Sequence, residues 1–389
     1  MTPPDMTRRR LLQGGCCLGL ASLLPFSSRM AFAVAPTDKR LMVIIMRGGM
    51  DGLGAVVPYG DPDYADARGP IALPQNADTL ADLDGHFAFN RALDPLLPLY
   101  RNQQLLVLHA AATPYRERSH FDAQDLLESG GLHPHALSTG WLNRAVAALQ
   151  RPEEALALGP TVPLVLRGSA PVTSWAPSVL PGVDEDFLGR VAHMYEKDAL
   201  LSHALEQSRM LEGMGAADDG GGHQAFPGMM KKAAELLSAP SGPRIASVDV
   251  TGWDTHANQN GRLAGALKTF AQGITAFRDG VGPLWDQTVV IAATEFGRTV
   301  RGNGTGGTDH GTASAAFMLG GRVAGGRVAG DWPGLSRLRD GRDLLPANDL
   351  RSLFKAALDE HLGLREDVLA ATVFPDSAGV KSLRGVISV

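Results

Sequence analysis

Leu41-Met42-Val43-Ile44-Ile45-Met46, followed by Arg47-Gly48-Gly49-Met50-Asp51-Gly52, is the stretch on which the fold reading turns. Six apolar residues in succession lack the alternation of a half-exposed strand, so they read as a strand buried on both faces. The glycines behind them permit a sharp turn and leave Asp51 at the carboxyl end of that strand. The same pattern recurs at 105–109, 163–166, 245–250, 288–293 and 315–319, all read as buried parallel strands. Helical spacing marks 119–128, 142–149, 185–211, 229–237, 262–277 and 349–361 between them. This alternation predicts an α/β fold, a mainly parallel sheet sandwiched by helices, with ligands at the carboxyl ends of its strands. Residues 151–227 read as a helical cap inserted in the sheet domain, which itself spans 34–389. Two glycine-rich segments, 218–227 and 301–308, read as loops. The tandem copies 321–325 and 326–330 read as a hairpin or two turns.

The first 33 residues read differently. Thr7-Arg8-Arg9-Arg10-Leu11-Leu12 sets an arginine pair ahead of an apolar run broken by Gly14, Gly15, Gly19 and Pro25, and Ala31-Phe32-Ala33 follows. This is the layout of a twin-arginine signal peptide with a small-residue cleavage site. The run is too short for a spanning helix, which needs about 20 apolar residues. The export machinery is thus the first expected partner, and the expected location is periplasmic or secreted. Both cysteines, Cys16 and Cys17, fall in this segment, so the remainder is expected to use neither a disulfide nor a cysteine nucleophile. Four of the 36 basic residues and one of the 41 acidic ones lie there too, leaving a chain more acidic than the net −5 of the whole. That balance argues against nucleic acid as a partner. No later stretch is apolar enough to span a membrane.

Polar residues gather after the strands. Asp51 follows the first, either as a turn aspartate satisfying nearby N–H groups or as a site residue. Arg116-Glu117-Arg118-Ser119-His120-Phe121-Asp122 follows the second. Ser119 stands where a helix begins, which suits an N-cap with Asp122 as its partner, and equally a nucleophile or anion site favoured by free N–H groups. Arg116 and Arg118 add positive charge for a phosphate-like group. Gly252-Trp253-Asp254-Thr255-His256 places an Asp and a His two residues apart, able to face one metal. Thr294-Glu295-Phe296-Gly297-Arg298 ends an apolar strand with two charges that are costly without partners. Thr308-Asp309-His310-Gly311 leads into the last strand. Each motif is weak alone; together they bring Asp51, Ser119, Asp254, His256, Glu295 and His310 to one sheet edge.

With these segments assembled, the chain resembles the bacterial family catalogued as domain of unknown function 1501, whose members pair a twin-arginine signal with similar motifs. That family in turn resembles the alkaline-phosphatase-like superfamily. The resemblance implies an alkaline-phosphatase-like fold and a two-metal site. Asp51 matches the aspartate after the first strand and Ser119 the hydroxyl nucleophile. Asp254 and His310 match ligands of the first metal. Glu295 stands where an Asp-His-Gly triplet normally ends a strand, and Phe296 replaces its His. His256 stands two residues after Asp254, whereas the superfamily spacing points at Asn258. The sulfatase signature is absent around Ser119, which excludes that activity.

The resulting expectation is a metal-dependent hydrolase or transferase acting on a phosphate ester or similar small anionic substrate. Ser119 would attack, assisted by Arg118 and Arg298; Asp254, His256 and His310 would hold one divalent ion, Zn, Mn or Mg, and Asp51 with Glu295 a second. The alternative is a non-catalytic exported protein of the same fold that binds a partner or polymer.

Overall fold

A computed structural model describes residues 38–149, 155–177, 185–195, 198, 201–202, 205 and 225–388. The export segment lies outside these residues. The opening apolar run forms β1 (Arg40–Met46), every residue of it buried. Its two faces serve two cores: Met42, Ile44 and Met46 join one apolar cluster, and Leu41, Val43 and Ile45 the other. This is why the run needed no polar residue.

The main sheet also contains β5 (Leu105–Ala112), β6 (Ala155–Leu158), β7 (Val172–Trp175), β8 (Ile245–Val250), β9 (Thr288–Ala293), β10 (Ser314–Leu319), β11 (Arg327–Ala329) and β12 (Asn348–Asp349). Its order is β11-β5-β10-β9-β1-β8-β6-β7, with β12 also on β5, nine strands in all among the described residues. A separate small sheet joins β2 (Val56–Val57), β4 (Ala88–Asn90) and β3 (Leu80–Asp82) in that order.

β1 runs parallel to β8 and β9, and β6 parallel to β7 and β8. The expected mainly parallel α/β sandwich is therefore what the chain adopts. The exception is β10, which runs antiparallel to both β9 and β5. It was expected to be parallel; an apolar strand buried on both faces has the same composition in either direction.

Helices α1 (His120–Ser129), α2 (Trp141–Leu149), α3 (Ala225–Ser238), α4 (Gln259–Val281) and α5 (Leu350–Ala356) supply the cover. In α4 the buried residues Leu263, Leu267, Phe270 and Ile274 recur at helical spacing and pack in the core that holds Met42 and Ile44. Trp141 of α2 and Phe354 of α5 stack 4.9 Å apart in the other core. Fully burying a side chain such as Phe270 is worth about 2–3 kcal/mol, so these stripes fix both helices on the sheet.

Three local expectations need correction. Residues 163–166 are not a strand: Pro163 opens a 3-10 turn, Leu164–Leu166, whose Val165 N–H donates to Glu128. Within the segment read as a cap, β6 and β7 extend the main sheet, while much of 178–224, including the glycine triplet 220–222, lies outside the described residues. The second copy of the tandem repeat contributes β11, paired parallel with β5, rather than half of a hairpin.

Candidate active site and metal centre

The carboxyl ends of β1, β8 and β9 and the start of β10 meet at one edge, and the antiparallel direction of β10 is what brings its leading loop there. The turn after β1 passes so close to its neighbours that only glycine fits. A Cβ on Gly48 would stand 2.7 Å from the Asp254 nitrogen, and one on Gly49 would stand 2.7 Å from the Phe296 ring. Both glycines also have positive φ, 121° and 72°. The turn thereby presents Gly48 N–H to Glu295 at 2.9 Å and Met50 N–H to the Thr294 hydroxyl at 3.0 Å.

Glu295 is buried and anchors the site from below. Besides Gly48 it accepts from His120 Nδ1 at 2.8 Å and from Gln124 at 3.0 Å. Burial alone would push its carboxyl up, but these hydrogen bonds hold it below the usual range. His120 is raised, chiefly by the hydrogen bond to Glu295. His310 donates Nδ1–H to the Arg118 carbonyl at 3.0 Å, since a carbonyl oxygen can only accept. Burial lowers its pKa. Arg118 can aim that carbonyl because it adopts φ 66°, an uncommon conformation for a residue with a side chain. The backbone of His256 is gripped by the glycine-rich loop, through Asn303 at 3.1 Å and Thr305 at 2.5 Å.

With both Nδ1 atoms of His120 and His310 committed below, their Nε2 atoms converge above. His120 Nε2 lies 3.0 Å from His310 Nε2, and His256 Nε2 lies 3.1 Å from the same atom. Asp254 completes the group, its carboxylate 2.8 Å from His256, 3.3 Å from His310 and 3.6 Å from His120. Partial burial works against ionisation of Asp254, yet the Arg298 hydrogen bond and charge, with His256 and His120, keep its pKa low. Two neutral imidazoles that both donate through Nδ1 carry lone pairs on Nε2, and lone pairs 3.0 Å apart repel unless a proton or cation lies between. His120, Asp254 and His310 each offer a ligand atom within 4.8 Å of the others.

The expected residues thus take different places. Asp254, His256 and His310 come together as the sequence suggested. Glu295 comes with them but stands behind His120, as the carboxylate that orients an imidazole. Asp51 faces elsewhere: it is buried, paired with Arg68 at 2.5 Å, and accepts from Gln259 at 2.8 Å. Its two partners leave it as a supporting ion pair rather than a member of the converging set. The two arginines are also occupied. Arg298 donates to Asp254, to both oxygens of Thr308 and to the Gly48 carbonyl, and is buried. Arg118 pairs with Asp340 and Asp343. Both guanidiniums are committed to protein acceptors. Ser119 is the N-cap of α1, but its side chain makes no capping bond. Phe296 packs against both rings, with centroids 4.7 Å from His120 and 5.1 Å from His310.

Sequence reasoning missed His120 as a site residue. It follows Ser119 in the quoted segment, and a histidine in the first turn of a helix at this edge was the available signal.

Solved structures with which the chain shares partial likeness include a sulfatase from Pseudoalteromonas sp., 12% identical with a TM-score of 0.43, over 89% of this chain and 71% of that one. The C-terminal periplasmic domain of EptC from Escherichia coli, in complex with Zn, is 9% identical with a TM-score of 0.38 over 72% of each chain. The lipoteichoic acid synthase LtaP from Listeria monocytogenes is 9% identical, with a TM-score of 0.38 over 85% of this chain and 73% of that one. No curated protein matches. The family described as protein of unknown function (DUF1501) matches residues 102–371, most of the chain's 389, and the chain belongs to it.

Proposed function

We propose that this protein is a metal-dependent hydrolase or transferase acting on a phosphate ester or a similar anionic group. The observation that carries the reading is the trio of Nε2 atoms around the Asp254 carboxylate, two of them with their Nδ1 protons already placed. A carboxylate with neutral imidazoles is a donor set suited to Zn or Mn, and it fits a divalent ion better than it fits empty space. His120, Asp254 and His310 would hold the ion, with His256 beside them. When bound, such an ion polarises an ester oxygen and offsets charge that builds on it.

The chain's own residues supply the rest. Glu295 and the Arg118 carbonyl keep the two imidazoles in the ligating tautomer. Arg298 keeps Asp254 ionised. The N–H groups at the start of α1 favour an anion there, and Ser119 stands at that start as the hydroxyl that attacks. Arg8 and Arg9 support export as the route by which the protein meets its substrate. A double lysine change at that pair should retain it inside the cell, and normal export of that variant would overturn the route.

Elemental analysis of protein purified without chelator, with melts before and after chelation, tests the function. Wild type should carry about one divalent ion per chain and melt earlier when stripped. His310→Ala should lose the ion, and Ser119→Ala should keep it while losing hydrolysis of an aryl phosphate. Wild type without stoichiometric metal, and with a melt indifferent to chelator and to added Zn or Mn, ends this reading.

A further inference from the structure

His120, Gln124 and Glu128 recur every four residues along α1 and so share one stripe of the helix. The stripe spans about 12 Å at 1.5 Å per residue. At one end is the imidazole cluster. In the middle, Gln124 donates to Glu295 at 3.0 Å and accepts from Arg47 Nη1 at 3.0 Å. At the far end Arg47, the residue that continues β1 to the sheet edge, pairs with Glu128 at 2.8 Å and Asp249 at 2.7 Å.

These three residues line a recess of about 400 Å³, within the size range of small-molecule sites. Leu158 and Leu164 give it apolar wall, and Arg167 stands at its rim. Ser247, from the middle of β8, also lines it; this residue is fully buried and its hydroxyl has no partner. A buried hydroxyl without a partner is costly, and a bound group that reaches it would recover that cost.

The charges state what kind of group fits. Arg47 and Arg167 balance Glu128 and Asp249, so a charged ligand would meet its like as closely as its opposite. Arg47 also spends Nε, Nη1 and Nη2 on Asp249, Gln124 and Glu128. What remains on offer is mainly acceptor capacity on two carboxylates, with one hydroxyl that can play either part. The complement is an uncharged group rich in O–H donors.

We infer that this recess is the subsite for the neutral part of the substrate, a group bearing vicinal hydroxyls such as a sugar ring, held about 12 Å along α1 from the reacting anion. The inference rests on the proposed hydrolase only for what happens at the other end of the ligand.

Saturation-transfer NMR on the whole exported chain tests it, with a neutral methyl hexopyranoside, a ribonucleoside and, as a control, inorganic phosphate. One of the two diol probes should receive transfer, and which one does identifies the ring that fits. Ser247→Leu fills the floor, and Thr161→Trp blocks the mouth from an exposed loop position without touching the core. Either change should weaken the diol probe about tenfold or more, a loss of ~1.4 kcal/mol, with metal content unchanged. If Ser247→Leu does not fold, Thr161→Trp decides alone. No transfer to either diol, or variants that bind as wild type does, overturns the subsite. Metal-loaded protein that ignores both diols removes the subsite and leaves the hydrolase; metal-free protein that binds one does the reverse.

Discussion

Asp51 and Asp254 are both the first acidic residue after a strand at the same sheet edge, and the chain treats them in opposite ways. Asp51 is closed off. Arg68 matches its charge, Gln259 donates to it, and both oxygens lie out of water. Its neighbour His109 is closed in the same sense: Nε2 donates to the Val56 carbonyl at 2.8 Å while Nδ1 accepts from Ala110 N–H at 2.7 Å. Asp254 is half exposed and sits among three imidazoles, two of which need a proton or a cation between Nε2 atoms 3.0 Å apart. What separates a structural carboxylate from a candidate ligand is thus whether the surrounding donors and acceptors balance, rather than residue type or position on the fold.

The comparison breaks most readily at Asp51. Removing one partner of a buried pair leaves the other charge uncompensated, so Asp51→Ala should cost about 3–5 kcal/mol in urea unfolding. Asp254→Ala removes a half-exposed carboxylate and leaves the buried Arg298 without its acidic partner, but that guanidinium keeps its bonds to Thr308 and Gly48, so the cost in the metal-free protein should be smaller. Equal losses would erase the distinction.

A smaller effect lies in pH. Burial lowers His109 to about 4, well under the 6.5 expected of the unfolded chain. Between these values the unfolded state binds more protons, so stability is fully present above 6.5 and declines as pH falls toward 4. The slope is about 1.4 kcal/mol per pH unit for this group, and His109→Phe should flatten the stability profile in that window. An unchanged profile would mean that His109 is not held neutral.

The smallest effect should come from Glu295→Gln. An amide still accepts from His120 Nδ1 but no longer with a full charge, so metal affinity should fall about 10- to 100-fold, as for other groups that orient a ligand. Competition against a fluorescent chelator measures it. Unchanged affinity would make Glu295 a structural residue like Asp51.

Much of this was legible in the sequence. The strands at 245–250 and 288–293 have the expected bounds; the second is buried at every residue, and the first departs from that only at Asp249. Asp254, His256 and His310 followed from their places beside strands. The direction of β10 was not legible, since its six residues are buried on both faces whichever way they run. Nor were the partners of Arg118 and Arg298, because a long side chain reaches acceptors that local sequence does not identify, here Asp343 and Thr308. Asp51 failed for the same reason, as Arg68 lies 17 residues on in a segment with no strand or site signal. His120 was overshadowed by the serine before it.

The sequence separations within the imidazole group bear on how it assembles during folding. His256 and His310 are 54 residues apart, whereas His120 and His310 are 190 apart. Closing the longer loop costs about 1 kcal/mol more in chain entropy. That difference favours joining the arm that carries His256 to His310 before α1 completes the set. Refolding in the presence of metal would register this order as ion affinity that appears only after the central strands resist hydrogen exchange.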